Sequence, residues 1–112
     1  MALLATGLGS KGVEVDVNRT TLYLNTYNNT DAFISSITLA NITTSIVSGT
    51  IEFYSYTNDD YYYLIRNVAV SPNTSFVYDY DVCLNYYDEV SVTSSIISGL
   101  HATCSVMQLI TS

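Results

Sequence analysis

The sequence predicts an all-β protein: an antiparallel β-sandwich, jelly-roll or immunoglobulin-like, of eight to nine short strands. Three observations carry this reading. Apolar residues recur with period two and almost nowhere with period 3.6. The apolar runs are rich in Val, Ile, Thr, Tyr and Phe, residues that suit a pleated, half-buried surface. Clusters of Asn, Asp, Ser and Gly separate the runs at intervals of about ten residues, which is the spacing of a sandwich or small barrel.

Taken in order, Val13, Val15 and Val17 alternate with Glu14 and Asp16, as a strand with one solvated face does, and Leu22 and Leu24 continue the pattern. Asn25 to Asp31 is a dense run of turn formers. From Ala32 to Asn41, apolar residues fall on both parities (Phe33, Ile37 and Leu39 against Ile34), which marks a strand covered on two faces. Ile46 to Tyr56 sets Val47, Ile51 and Phe53 against Glu52, Tyr54 and Tyr56, with Gly49 marking a bulge or a close approach. A turn at Thr57 to Asp60 leads into the strand Tyr61 to Val70, which Ser71-Pro72-Asn73 ends. Shorter strands follow at 75–80, 82–85 and 90–94, and a last one runs from Ala102 to Ile110. The expected core is Leu22, Leu24, Ile37, Leu39, Val47, Ile51, Phe53, Leu64, Val68, Val77, Val90, Val92, Val106 and Ile110. Residues 13–112 are thus one sandwich domain. Residues 1–12, with Gly7, Gly9 and Gly12 and little charge, are expected to be a flexible N-terminal arm.

Composition narrows the function. The chain carries 3 Lys plus Arg against 10 Asp plus Glu, a formal charge of -7, which repels phosphate backbones and anionic lipid, so no nucleic-acid or membrane partner is expected. No segment approaches the roughly 20 apolar residues of a membrane helix. The opening Met1-Ala2-Leu3-Leu4-Ala5 lacks the basic flank of a secretory leader. Cys83 and Cys104 sit in apolar runs and are expected to be buried free thiols, with a bridge between neighbouring strands as the alternative. Sequons at Asn18, Asn28, Asn41 and Asn73 are what chance supplies in a chain so rich in Asn, Ser and Thr.

Catalysis has no candidate constellation, and no cofactor is expected. The single histidine, His101, reads as a surface turn residue with no nucleophile or orienting group assigned to it. The acidic pairs Asp59-Asp60, Asp79 with Asp81 and Asp88-Glu89 sit at turns, where Asp serves the backbone, and match no calcium loop. The unusual feature is tyrosine, 11 in number. Tyrosine gives large contact area at low entropic cost, so Tyr54, Tyr56, Tyr61, Tyr63, Tyr86 and Tyr87 are candidate interface residues, with cross-strand pairing as the plain alternative. Leu3, Leu4 and Leu8 of the arm join them, as side chains able to fill pockets on a neighbour.

Four segments carry a wider likeness: Arg19-Thr20-Thr21-Leu22-Tyr23, Ala32 to Asn41, Tyr62 to Ser75, and the closing Tyr87-Asp88-Glu89-Val90-Ser91-Val92-Thr93-Ser94; the opening Leu4-Ala5-Thr6-Gly7 is in the same style. Over residues 13 to 110 the chain resembles the small β-rich virion structural proteins of tailed bacteriophages, especially the accessory proteins of cyanophages. It departs from them in the glycine-free turn Tyr87-Asp88-Glu89 and in its high Tyr and Asn content. The resemblance implies no catalytic residues. It implies a multicopy or homo-oligomeric virion component that decorates or stabilises the particle at the head surface, neck or tail by contact with capsid, neck or tail subunits. The alternative is a free-standing recognition module for a cell-surface glycan or protein. Far-UV circular dichroism should be dominated by β-structure; a helical spectrum would refute the fold class.

Overall fold

The computed structural model describes residues 3–26 and 30–111, with residues 3–8, 110 and 111 by backbone only. Among these are nine strands and no helix: β1 (Leu3–Val15), β2 (Thr20–Leu24), β3 (Thr30–Asn41), β4 (Val47–Ser55), β5 (Asp60–Val70), β6 (Ser75–Tyr78), β7 (Val82–Leu84), β8 (Glu89–Ser94) and β9 (Leu100–Thr111). Their pairing is that of one long hairpin rolled on itself. β4 pairs with β5, β3 with β6 and β7, β2 with β8, and β1 with β9, all antiparallel. The ladders β3–β9 and β4–β8 gather these pairs into two sheets, β1-β9-β3-β6/β7 and β2-β8-β4-β5. Such nesting is the jelly roll, and it decides between the two sandwich types that the sequence leaves open.

Strand β3 explains why the sequence shows apolar residues on both parities. Between Ser35 and Thr38 its register against β9 shifts, three steps on β3 matching two on β9. Ser36 lies there at φ 53, a β-bulge that adds one residue and reverses the facing of all that follows. Ala32 and Ile34 before it, and Ile37 and Leu39 after it, are therefore all fully buried. On the other side of β3 the same irregularity divides one strand into β6 and β7, with Asp79 to Asp81 bent away between them.

The core lies between the sheets. Ile34, Ile37, Leu39, Leu84 and Leu100 from the first sheet meet Val47, Ile51, Val70, Val90 and Val92 from the second, all essentially without solvent contact. Gly49 sets how closely the sheets approach. A β-carbon there would lie 2.8 Å from Leu39 Cδ1 and 2.9 Å from Leu100 Cδ1, so the absence of a side chain lets both leucines fill that layer.

Several sequence expectations are corrected. Leu24 and Val77 are 38% and 50% exposed. Leu24 lies past the shift at Thr21/Tyr23 that turns Tyr23 inward, and Val77 is on the outer face of its sheet. Phe53, Leu64 and Val68 are half-buried against the core, because β5 is an edge strand with two register shifts against β4. Ile110 is outside the residues whose side chains are described. Cys83 is exposed and Cys104 buried, both free. They face opposite sides of one sheet, which precludes a bridge between them. The strand read from Val13 begins at Leu3: of residues 3–12, expected as a flexible N-terminal arm, all but Thr6, which is skipped at a register shift, take a place in the ladder with β9. The 12-residue β9 would otherwise present an open edge, and backbone pairing there needs no side chains from the glycines. Tyr27 to Asn29 of the expected loop fall outside the described residues.

Leu39→Ala and Ile34→Ala should each cost about 2–5 kcal/mol in chemical denaturation, and Gly49→Ala about 1–3 kcal/mol through overpacking. Val77→Ala should stay within about 0.5 kcal/mol of wild type.

Candidate interaction surfaces

Among the described residues no three His, Cys, Asp or Glu side chains gather as metal ligands. His101 is exposed on β9, in register with Glu14 on β1 and Ala40 on β3. A shallow groove of about 590 Å³ crosses the outer face of the first sheet between Phe33, Ser35, Ser105 and Met107, with Asp81 at its side. One carboxylate among hydroxyls, without a base or an orienting partner, is no acid–base pair.

The outer face of the second sheet is built differently. Glu52 and Tyr54 of β4 stand opposite Tyr63 and Tyr61 of β5. Arg19, just ahead of β2, reaches across β8 to donate from Nε and Nη2 to the two carboxylate oxygens of Glu52, at 3.2 and 3.1 Å. Its guanidinium also lies 3.6 Å from the Tyr61 ring centroid. The planar fork suits both contacts, and the bond to Glu52 raises the Arg19 pKa above its ordinary value. Tyr54 packs on Tyr61 with ring centroids 4.8 Å apart and donates its hydroxyl to Asp59. Arg66 lies 5.0 Å from the Tyr63 ring, so two of the three basic residues are engaged with tyrosines.

At the adjoining end of the sandwich Tyr56, Tyr86 and Tyr87 form an aromatic cluster. Tyr86 stacks on Tyr87 at 4.3 Å, and Tyr56 meets both edge-on at 6.3 and 5.3 Å. A hydrogen bond to Tyr87, with burial as a lesser cause, raises the pKa of Tyr86. The cluster is held from beneath. Buried Asp88 accepts the backbone N–H groups of Tyr56 and Asn85, each at 2.9 Å. Buried Asn25 accepts the Tyr87 N–H on its carbonyl and donates its side-chain amide to the carbonyls of Thr30 and Leu84. Three loops are thereby fastened together, and the positive φ of Tyr87 (64°) is sustained.

Of the six tyrosines singled out from sequence, Tyr54, Tyr61 and Tyr63 lie on the paired strands β4 and β5, and Tyr56, Tyr86 and Tyr87 cluster at the adjoining end. They also pair among themselves, as the plain reading anticipates. Leu3, Leu4 and Leu8 lie on β1, opposite Thr111, Ile110 and Met107 in register. Sequence reasoning missed Arg19, Glu52 and Asn25 as organising residues, since Arg19 and Glu52 are 33 positions apart and Asn25 reaches Leu84 across 59 positions. For Asp88 the signal was present, an Asp at a turn, but not its burial.

No protein-family model matches the chain, and no curated protein matches it by sequence. Solved structures do match in fold. A subunit of the disulfide-linked pili known as Bacillus endospore appendages superposes with a TM-score of 0.59 at 14% identity, over 97% of this chain and 88% of that one. A chain of the infectious bursal disease virus Gx strain superposes with a TM-score of 0.53 at 8% identity, over 97% of this chain. The protein spans 32% of that viral chain. At such identities the likeness establishes the fold, and both are structural assemblies by their names.

Two measurements probe this surface. The bond to Asp59 is the main cause that pushes the Tyr54 pKa up to about 12. A raised folded pKa stabilises the fold at pH below the unfolded value near 10, and that contribution is lost as pH rises through about 12. Absorbance titration of wild type minus Tyr54→Phe should therefore show one tyrosine ionising near pH 12. Asp88→Asn, which turns a donor toward one of the two part-buried N–H groups that the carboxylate accepts, should cost about 1–3 kcal/mol in denaturant.

Proposed function

We propose that the protein is a non-enzymatic structural component of a virion, carried in many copies on a tailed-phage particle that it decorates or stabilises through protein–protein contacts. The observation that carries this reading is a jelly roll whose distinctive exposed chemistry, among the described residues, is aromatic. Exposed tyrosines at 52% (Tyr56), 58% (Tyr63) and 38% (Tyr86) provide rigid amphipathic contact area. The fold shared with a viral chain and a pilus subunit supports an assembly role, and the resemblance of residues 13–110 to phage accessory proteins narrows it to the virion.

Attachment uses the tyrosine surface together with β1, whose outer edge has no strand beside it among the described residues and carries Leu3, Leu4 and Leu8. An open edge accepts a neighbour's strand by backbone pairing, and many copies on one particle make modest affinity at each site sufficient. The second reading, a module that binds a surface glycan, draws on the Tyr56, Tyr86 and Tyr87 cluster as a stacking site.

Mass spectrometry of density-purified particles should find the protein at a stoichiometry of tens of copies or more, as expected of a multivalent decoration. Tyr56→Ser with Tyr86→Ser, or Leu4→Asp with Leu8→Asp, should lower incorporation of the folded protein. Absence from purified particles, with binding to cell-surface glycan that these tyrosine changes abolish, would overturn the virion reading in favour of the second.

A further inference from the structure

Opposite the tyrosines, the other end of the sandwich is aliphatic. Val17 in the β1–β2 loop, Ile42 and Ile46 around the β3–β4 turn, and Ile96 and Ile97 in the β8–β9 loop are 41%, 50%, 64%, 39% and 66% exposed. Isolated exposed apolar residues need no explanation, but five on adjoining loops form a patch, and patches mark contacts.

The loops are not free to fold these side chains inward. The β8–β9 loop is bonded to both of its neighbours: Ser94 N–H to the Asp16 carbonyl at 2.9 Å, Ser98 N–H to the Val15 carbonyl at 3.0 Å, and Ser95 N–H to the Ser48 carbonyl at 2.9 Å. Ile42 N–H bonds the Gly99 carbonyl at 3.4 Å. Buried Asn41 braces the β3–β4 turn, its amide donating to the carbonyls of Ser45 and Val70 at 2.7 and 2.9 Å and its oxygen accepting the Thr43 N–H at 2.9 Å. The exposed isoleucines are held in place by satisfied backbone.

We infer that this aliphatic end is a self-association surface, whose occupant is the same end of a second copy of the chain. The inference deepens the multicopy structural role proposed above and rests on it. Charge selects the occupant. With a net charge of -7, copies repel over most of their surface. Asp59, Asp60, Asp88 and Glu89 lie at the tyrosine end, and Asp79 and Asp81 lie between β6 and β7. In the three aliphatic loops the acidic residue is Asp16, whose carboxylate accepts the Val17 N–H at 2.7 Å. Two such ends meeting by a twofold axis place aliphatic against aliphatic with the fewest like charges opposed. Area sets the strength. Across its strands the molecule measures 27 × 18 Å, an end about half as large as the ~800 Å² that each partner of a stable complex buries. The association is therefore reversible and weak for a single pair, and becomes effective when other contacts hold copies side by side.

Sedimentation velocity of the full chain, from about 10 µM to about 1 mM, covers the range of so small an interface. Wild type should show a weight-average mass that rises with concentration and rises further in 1 M NaCl, where like-charge repulsion is screened. Ile46→Asp and Ile97→Asp should each weaken association by about tenfold or more, while Tyr80→Asp, on the 69% exposed Tyr80, should leave it unchanged. If either Asp variant fails to fold by circular dichroism, Ile46→Thr and Ile97→Ser should give the same direction. A monomer throughout the range, or association indifferent to all four changes, overturns the inference. So does flotation with zwitterionic phosphatidylcholine vesicles by a monomeric protein, which would assign the patch to lipid. Each of these outcomes leaves the particle measurement standing, so failure of the surface and failure of the virion role are told apart.

Discussion

The structure depends on one added residue in the middle of β3. This strand pairs with β9 along one edge and with β6 and β7 along the other, so its facing governs most of the first sheet. A strand of strict period two would bury Ile34 or Ile37 but never both. The bulge at Ser36 resolves the conflict by changing parity mid-strand, at the cost of a positive φ. The cost is offset by the burial of Ala32, Ile34, Ile37 and Leu39 in a single core. A bulge also adds twist and bend, which a sheet wrapped over a second sheet needs. The break between β6 and β7 is the same event seen from the neighbouring strand.

Two buried polar brackets close the ends of the roll. Asn41 fastens the β3–β4 turn to the end of β5 at one end, and Asn25 with Asp88 ties the β2–β3, β4–β5 and β7–β8 connections at the other. Each side chain satisfies backbone groups that a loop would otherwise leave without partners. Asn41 lies within a sequon, yet it is 3% exposed with its amide nitrogen donating twice, so it is a structural residue and no glycan acceptor. Because the brackets are internal, the side chains outside them are free for other uses. One end displays tyrosines and acids, the other isoleucines.

Tyr54 and Tyr61 are already ordered by Asp59 and Arg19, so their rings hold fixed positions on the surface. The pair Arg19–Glu52, with Arg19 46% exposed, adds little stability by itself in water. Its weight lies in placing the guanidinium over the face of Tyr61 while the same group is held by Glu52.

Much of this was legible in the residues. The alternation through Val13 to Val17, Val47 to Phe53 and Val90 to Val92 specifies strands, because side chains of a pleated ribbon must alternate whatever their partners. Turn chemistry at Thr57 to Asp60 and at Ser71 to Asn73 separates them. Long-range pairing decided the rest. That Leu3 to Gly12 joins β9, that Leu24 and Val77 face out, that Arg19 finds Glu52, and that the Ile42 N–H meets the Gly99 carbonyl all depend on registers between strands far apart in the chain. Local sequence constrains the two faces of a strand. Which face meets the core, and which loops share an end, follow only when the whole hairpin rolls up, because one slipped residue reverses every side chain beyond it.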